Sequence, residues 1–419
     1  MTYRISKKNK TLKGKIIIPQ SKSESNRVLL IKALSANPIK VNNLSDSDDT
    51  IILHKALKKI AENKNHNNVL TIDVGAAGTA MRFLTAFLSI KKGKYLLTGS
   101  EQMKKRPIGL LVDALNNLGA NIEYGENKGF PPLKIIGSDF NKSEITINGN
   151  ISSQYISALL MIAPILKNGL TITINGELVS KPYIEMTLQI MKYFGIKYLW
   201  KENKIEIKNQ KYKSSEFNIG GDWSAVSYWY EMAAFSAHVD LTIKGLLNNN
   251  LQGDSIVSKI YENFGIKTKW LSKNTIHISK ENSISEKFFY DFTGCPDIAQ
   301  TLAVTCAGLN INAELIGLSN LNIKETQRLD ALDCELKKIN FNTKIINNSE
   351  LKIYSRKNLK LKTINCKLKT YNDHRMAMAF APLAVLLGEI QIENPDVVTK
   401  SYPNFWSDLK SVGFKIEEI

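Results

Sequence analysis

The chain has 419 residues, 43% of them hydrophobic, and Lys plus Arg outnumber Asp plus Glu by 56 to 39, a net charge of +17. That length implies two or more domains, and no apolar stretch reaches the roughly 20 residues a membrane helix needs. The basic excess is spread along the chain, mostly as Lys beside much Asn and Ile, so AT-rich coding drift or an anionic small molecule explains it better than nucleic acid.

At the N-terminus the apolar run of MTYRISKKNKTLKGKIIIP is too short for a signal peptide, which predicts a cytoplasmic protein. One pattern then recurs: a β-like run, a polar or small turn, and a strongly apolar helical run. Its six copies are PQSKSESNRVLLIKAL (19–34), GAAGTAMRFLTAFLSI (75–90), NISSQYISALLMIAPIL (150–166), GGDWSAVSYWYEMAAFSA (220–237), GCPDIAQTLAVTCAGL (294–309) and YNDHRMAMAFAPLAVLL (371–387). KGKIIIP, SEITINGN and LTIKG are flanking strands, and the further helices in RPIGLLVDALNNLGA and YIEMTLQIMKYFGI each close on a Gly. Helices apolar nearly all round must be buried, yet each entrance is polar. Helix starts offer unpaired N–H groups and a positive dipole end, so several aimed at one place make an anion site. Six copies divide into two domains of three, with Gly220–Gly221 as the candidate crossover.

Several cations sit in apolar surroundings. Arg82 needs an anionic partner, a bound ligand or a route to the surface. His374 and Arg375 stand beside Asp373 at a helix entrance, and KETQR (324–328) puts Lys324 and Arg328 four apart on one predicted helical face with Glu325 adjacent. If Lys22, Arg27, Arg82, Arg106, Lys324, Arg328, Arg375 and Lys400 converge, the ligand is multiply anionic, for arginine forks grip carboxylate and phosphate. GxxxxGK[ST], GxGxxG after a strand and HExxH are absent from the sequence, and Cys295, Cys306, Cys334 and Cys366 form no C-x-x-C pair. The residues alone therefore read as an enzyme or binder of small phosphorylated acids in an interdomain cleft, with reduced cysteines and no metal or cofactor demanded.

SKSESNR, GAAGTAMR, RPIGLLVDAL, SSQYISALL, VSKPYIEMT, CPDIAQT, IKETQRL, TYNDHRMAMAF and KSYPNF, in this order, resemble the 5-enolpyruvylshikimate-3-phosphate synthase family over almost the whole chain. The resemblance implies an α/β fold: a two-domain inside-out barrel of six βαβαββ units, helices inside and sheets outward. It implies domains of 1–20 plus 221–419 and of 21–220, with the site in the cleft. It implies transfer of the enolpyruvyl group of phosphoenolpyruvate to the 5-hydroxyl of shikimate 3-phosphate, with loss of phosphate, by a monomer in aromatic amino acid biosynthesis. Shikimate 3-phosphate would meet Lys22, Ser23, Arg27, Ser152, Ser153, Gln154, Ser180, Tyr183, Asp297, Asn320 and Lys324. Phosphoenolpyruvate would meet Lys22, Gly78, Thr79, Arg82, Arg106, Gln154, Arg328, Arg375 and Lys400. Asp297 would be the base for the hydroxyl and Glu325 the acid that becomes a base, assisted by Lys22.

Two positions depart from the family pattern: Ala76, where an Asn is common, and Phe83, where many members have Pro. Gly78 is retained, which in this family leaves room for the phosphoenolpyruvate mimic glyphosate and implies sensitivity to it. Three rivals are an enolpyruvyl transferase acting on UDP-N-acetylglucosamine, an RNA-phosphate protein of related fold, and a catalytically dead binder. The first lacks its cysteine in a Gly-rich loop, the second rests on charge, and the third rests on Ala76.

Overall fold

Parallel strands cannot be joined by a tight turn and need a crossover, which an apolar helix supplies while burying one face of the sheet. The computed structural model of the chain, which describes residues 1–150, 152–176, 178–249, 251–281, 284–356 and 367–419, uses this device repeatedly. The described residues form two compact units, Met1–Gln20 with Gly220–Ile419, and Ser21–Ile219.

In the unit Ser21–Ile219, the strands Val69–Asp73 and Lys94–Thr98 pair in parallel around the helix Gly78–Ile90. The helix Gly109–Leu118 then leads into the hairpin Asn121–Tyr124 and Leu133–Ile136, whose second strand pairs antiparallel with Lys94–Thr98. Glu144–Asn148, Leu170–Asn175, Leu199–Lys201 and Lys204–Ile207 repeat the arrangement with the helices Ser153–Ile162 and Lys181–Tyr193. The third sheet is abridged: Ser215–Asn218 and Ile39–Asn42 form only the parallel pair, served by the helices Lys22–Leu34 and Asp48–Glu62.

The other unit carries three such four-stranded sheets among its described residues. Thr11–Ile17 pairs in parallel with His238–Lys244 beside the hairpin Ile266–Ser272 and Thr275–Lys280. Lys287–Asp291 pairs in parallel with Asn312–Ile316 beside Asn342–Ile346 and Glu350–Tyr354. In the last sheet Thr2–Ser6 stands between Glu389–Glu393 and Lys415–Glu418, so the first strand of the chain completes the sheet made by its end.

All six repeated segments contain the expected helix. Gly78–Ile90 is buried from Gly78 to Ser89, Ala299–Gly308 and His374–Phe380 are buried throughout, and Trp223–Phe235 is buried except at Ser224. Small polar residues are tolerated there because their hydroxyls return to their own helix: Thr85 Oγ1 donates to Met81 O at 2.7 Å and Ser89 Oγ to Ala86 O at 2.7 Å. The strands alternate buried and exposed residues, as in Glu144–Asn148, so the helices lie inside and each sheet turns one face to solvent. Gly119 caps Gly109–Leu118 with φ of 112°, a left-handed turn for which the sequence supplies glycine. Among the described residues no helix is long and apolar enough to cross a membrane. Cys295 and Cys306 are buried and Cys334 is exposed, all as free thiols; Cys366 lies outside the described residues.

Candidate active site

In the unit Ser21–Ile219 the polar helix starts are tied together by side chains. Ser21 caps Lys22–Leu34 by accepting from Glu24 N at 3.3 Å. From the first turns of that helix, Lys22 Nζ reaches Asp49 Oδ2 at 3.3 Å. Arg27, only 3% exposed, donates to Thr187 Oγ1 (2.7 Å), Ser157 Oγ (3.3 Å), Tyr183 O (3.2 Å) and Ser23 O (2.9 Å). It thereby joins three helices through neutral acceptors and lies over the Phe83 ring at 5.7 Å. Burial lowers its guanidinium to about 10, still charged at neutral pH. Phe83 is thus a buried floor under this cation.

The start of Gly78–Ile90 is packed against two more arginines. A Cβ on Gly78 would lie 2.5 Å from Arg82 Nη1 and 2.6 Å from Arg106 Nη1, so any side chain there would push these forks aside. Arg82 Nη1 donates to Gly78 O at 2.9 Å, and its guanidinium lies 5.9 Å over the Tyr155 ring. Tyr155 also donates to Pro107 O at 2.6 Å, fixing the loop that carries Arg106. Arg106 Nε is buried with no hydrogen-bond partner among the described residues. Gln154 Nε2 donates to Thr79 Oγ1 at 3.2 Å, linking two helix starts, and Ser152 caps the second by accepting from Gln154 N at 3.4 Å. Ser153, on the first turn of the same helix, is buried, and Ala76 is exposed. Ser180 precedes Lys181–Tyr193 with φ of 57°, a strained left-handed position for a serine.

The other unit gathers helix starts around an ion cluster. Arg328, 1% exposed, donates through Nε to Asp373 Oδ2 (2.7 Å) and through Nη2 to Glu325 Oε2 (2.7 Å), and its Nη1 lies 3.4 Å from Asp297 Oδ1. Arg375 Nη2 lies 2.9 Å from Asp297 Oδ2, Lys324 Nζ 3.4 Å from Asp297 Oδ1, and Lys400 Nζ 3.1 Å from Glu325 Oε1. Asp373 caps His374–Phe380 by accepting from Arg375 N at 2.9 Å, and so places Arg375 and Arg328 together. Burial would raise the Asp297 carboxyl, but Arg375, Lys324 and Arg328 outweigh it and hold the group well below the usual carboxylate range. Burial likewise would lower Arg328, and Asp373 and Glu325 raise it instead. Asn320 is half-buried on the turn Ser319–Ile323, just before Lys324.

One expectation is corrected. KETQR is not helical: the helix begins at Arg328, and Lys324 sits on a bend outside it. Lys324 and Arg328 still meet, because both reach Asp297 Oδ1; the shared carboxylate, not helical spacing, brings them together.

The structure thus collects Lys22, Ser23, Arg27, Gly78, Thr79, Arg82, Arg106, Gln154 and Tyr183 through named contacts in one unit. It collects Asp297, Lys324, Glu325, Arg328, Arg375 and Lys400 in the other. Sequence reading missed Asp49, Ser157 and Thr187, whose only signal was a polar residue next to an apolar run. In the second unit, four cations grip three carboxylates, all three of them (Asp297, Glu325 and Asp373) bound to Arg328. Such a cluster can hold anionic oxygens while two carboxyl groups handle protons.

The family model described as EPSP synthase (3-phosphoshikimate 1-carboxyvinyltransferase) matches residues 6–409. A 3-phosphoshikimate 1-carboxyvinyltransferase of Bacteroides fragilis is 47% identical over 408 residues, covering 97% of this chain and 97% of the relative. The enzyme of the same name from Colwellia psychrerythraea is 36% identical over 423 residues, covering 96% and 97%. Among solved structures, EPSP synthase from Acinetobacter baumannii superposes with a TM-score of 0.77 at 21% identity over 100% of both chains, which speaks to the fold. On the family match and these identities, the chain belongs to the EPSP synthase (3-phosphoshikimate 1-carboxyvinyltransferase) family of transferases.

Proposed function

We propose that this chain transfers the 1-carboxyvinyl group of phosphoenolpyruvate to the 5-hydroxyl of shikimate 3-phosphate and releases phosphate. The observation that carries the reading is Arg328, buried and bound to both Asp297 and Glu325 within an excess of cations. Asp297 takes the hydroxyl proton as the oxygen bonds to C2 of phosphoenolpyruvate, while Glu325 protonates C3. Glu325 then recovers a proton from the new methyl group as the C2–O bond to phosphate breaks. In the free protein Glu325 is held by Arg328 and Lys400, which suits its proton-accepting form. The phosphate and carboxylate of phosphoenolpyruvate would draw those cations away and favour the acid form needed for addition. Arg82, Arg106, Arg328, Arg375 and Lys400 stabilise the departing phosphate, and Lys22 assists Glu325 in proton transfer. Shikimate 3-phosphate is held by Ser23, Arg27, Ser152, Ser153, Gln154, Ser180, Tyr183, Asn320 and Lys324.

On this reading the two units are the domains that act on one substrate pair, and the enzyme is a cytoplasmic monomer on the route to aromatic amino acids. Light scattering giving a dimer mass would overturn the monomer. The function is tested by phosphate release, which is expected with both substrates present and with neither alone. Release from phosphoenolpyruvate without shikimate 3-phosphate would refute it.

A further inference from the structure

The helix start that carries Arg375 follows a strained turn. Asp373 N donates to Thr370 O at 2.8 Å, and the two residues between them, Tyr371 and Asn372, have φ of 53° and 56°. A four-residue turn with both central residues left-handed favours Gly, Asn or Asp at those places. Asn372 fits, and its Oδ1 accepts from Asn394 Nδ2 at 2.7 Å. Tyr371 does not, because in this conformation its Cβ crowds the following carbonyl. A side chain of that size stays there only where its surroundings fix it.

The helix Arg328–Lys338 does the fixing. Its Glu335 is fully buried. Glu335 Oε1 accepts from the Tyr371 hydroxyl at 2.5 Å and from Lys338 Nζ at 2.6 Å, and Oε2 accepts from Lys369 N at 3.2 Å. Arg328 stands about two turns earlier, on the same face of the helix, and donates through Nε to Asp373 Oδ2 at 2.7 Å. One helix face therefore grips the segment at both ends of the turn, Glu335 at Lys369 and Tyr371, Arg328 at Asp373. Only a carboxylate suits the first grip. It accepts on both oxygens, whereas a glutamine would turn a donor toward the tyrosine hydroxyl or the backbone N–H.

We propose that Glu335 is a positioning residue for the phosphoenolpyruvate site. By holding Tyr371 and Lys369 it sets the left-handed turn, and the turn places Asp373. Asp373 in turn accepts from both Arg328 Nε and Arg375 N, and so aligns the two guanidinium groups. This rests on the reading of Arg328 and Arg375 as phosphoenolpyruvate ligands. With the tether cut, Tyr371 relaxes out of its strained conformation, Asp373 shifts, and the two forks lose their common orientation.

The test compares wild type, Glu335→Gln and Tyr371→Phe in kcat, in KM for each substrate, and in hydrogen exchange of residues 369–376. KM for phosphoenolpyruvate is expected to rise roughly five- to twentyfold in Glu335→Gln and about threefold in Tyr371→Phe, which keeps the bond to Lys369, while KM for shikimate 3-phosphate stays within about twofold. Amides of 369–376 should exchange roughly tenfold faster in Glu335→Gln, while those of Trp223–Phe235 keep their rates. A merely structural role would lower the melting temperature and leave both KM values alone, or raise the two alike; either result would overturn the inference. If Glu335→Gln does not fold, Tyr371→Phe decides alone. Wild type inactive with both substrates would instead refute the proposed function, and exchange then decides the inference: unchanged rates in 369–376, or an equal rise in Trp223–Phe235, would overturn it.

Discussion

Replacing Asp373 should show how strongly the ion cluster is bound to the fold. Asp373 is fully buried, holds Arg328 through Oδ2 at 2.7 Å and Oδ1 at 3.3 Å, and caps His374–Phe380 through Arg375 N at 2.9 Å. Asp373→Ala takes from the buried Arg328 guanidinium one of its three carboxylates and leaves it Glu325 and Asp297, at about 2–3 kcal/mol, and removes a helix cap, at about 1 kcal/mol. At about 2–4 °C per kcal/mol for a unit of this size, the melting temperature should fall by roughly 6–16 °C. Asp373→Asn keeps an oxygen for the cap and loses the charge, so it should fall by about half as much. Four of the five tryptophans, Trp223, Trp229, Trp270 and Trp406, lie in the unit that contains Asp373, so tryptophan fluorescence follows the right transition. An Ala variant melting within about 2 °C of wild type would show that Arg328 does not depend on this carboxylate.

Gly78→Ala places a methyl group 2.5 and 2.6 Å from two guanidinium nitrogens, which must swing outward. Steady-state kinetics should show KM for phosphoenolpyruvate up roughly tenfold, with glyphosate inhibition weakened alongside it; unchanged KM would contradict the packing. In Glu231→Gln the stability gain over wild type should grow as pH rises above about 4.3, because burial raises Glu231 far above its unfolded value and the folded protein keeps that proton. Urea titrations across pH measure it, and a constant difference would refute it. Arg27→Lys keeps a charge but cannot make the four bonds that join three helices. It should unfold at lower urea by about 2 kcal/mol, and unchanged stability would show the bonds are weak.

The helices of the fold were legible because burial leaves a mark on composition. Runs such as MRFLTAFLSI can only be interior, and all six repeated segments contain a buried helix. The abridged sheet of Ser215–Asn218 and Ile39–Asn42 was not legible, since its two strands are far apart in the chain and local pattern cannot pair them. At the site, the cations stood out against apolar neighbours, but their partners did not. Asp49 reads as one more acid at a helix start, yet it meets Lys22. Lys324 and Arg328 looked like a helical pair and instead meet through a bend, because a shared carboxylate overrides local spacing.

The addition–elimination chemistry assigned to Asp297 and Glu325 passes through a methyl group made from the vinyl carbon of phosphoenolpyruvate. Proton NMR in deuterium oxide reads this step directly. The account predicts deuterium at the vinyl carbon of the product and of recovered phosphoenolpyruvate, only when shikimate 3-phosphate is present, and greatly slowed in Glu325→Gln. Product formed with both vinyl protons intact would contradict it.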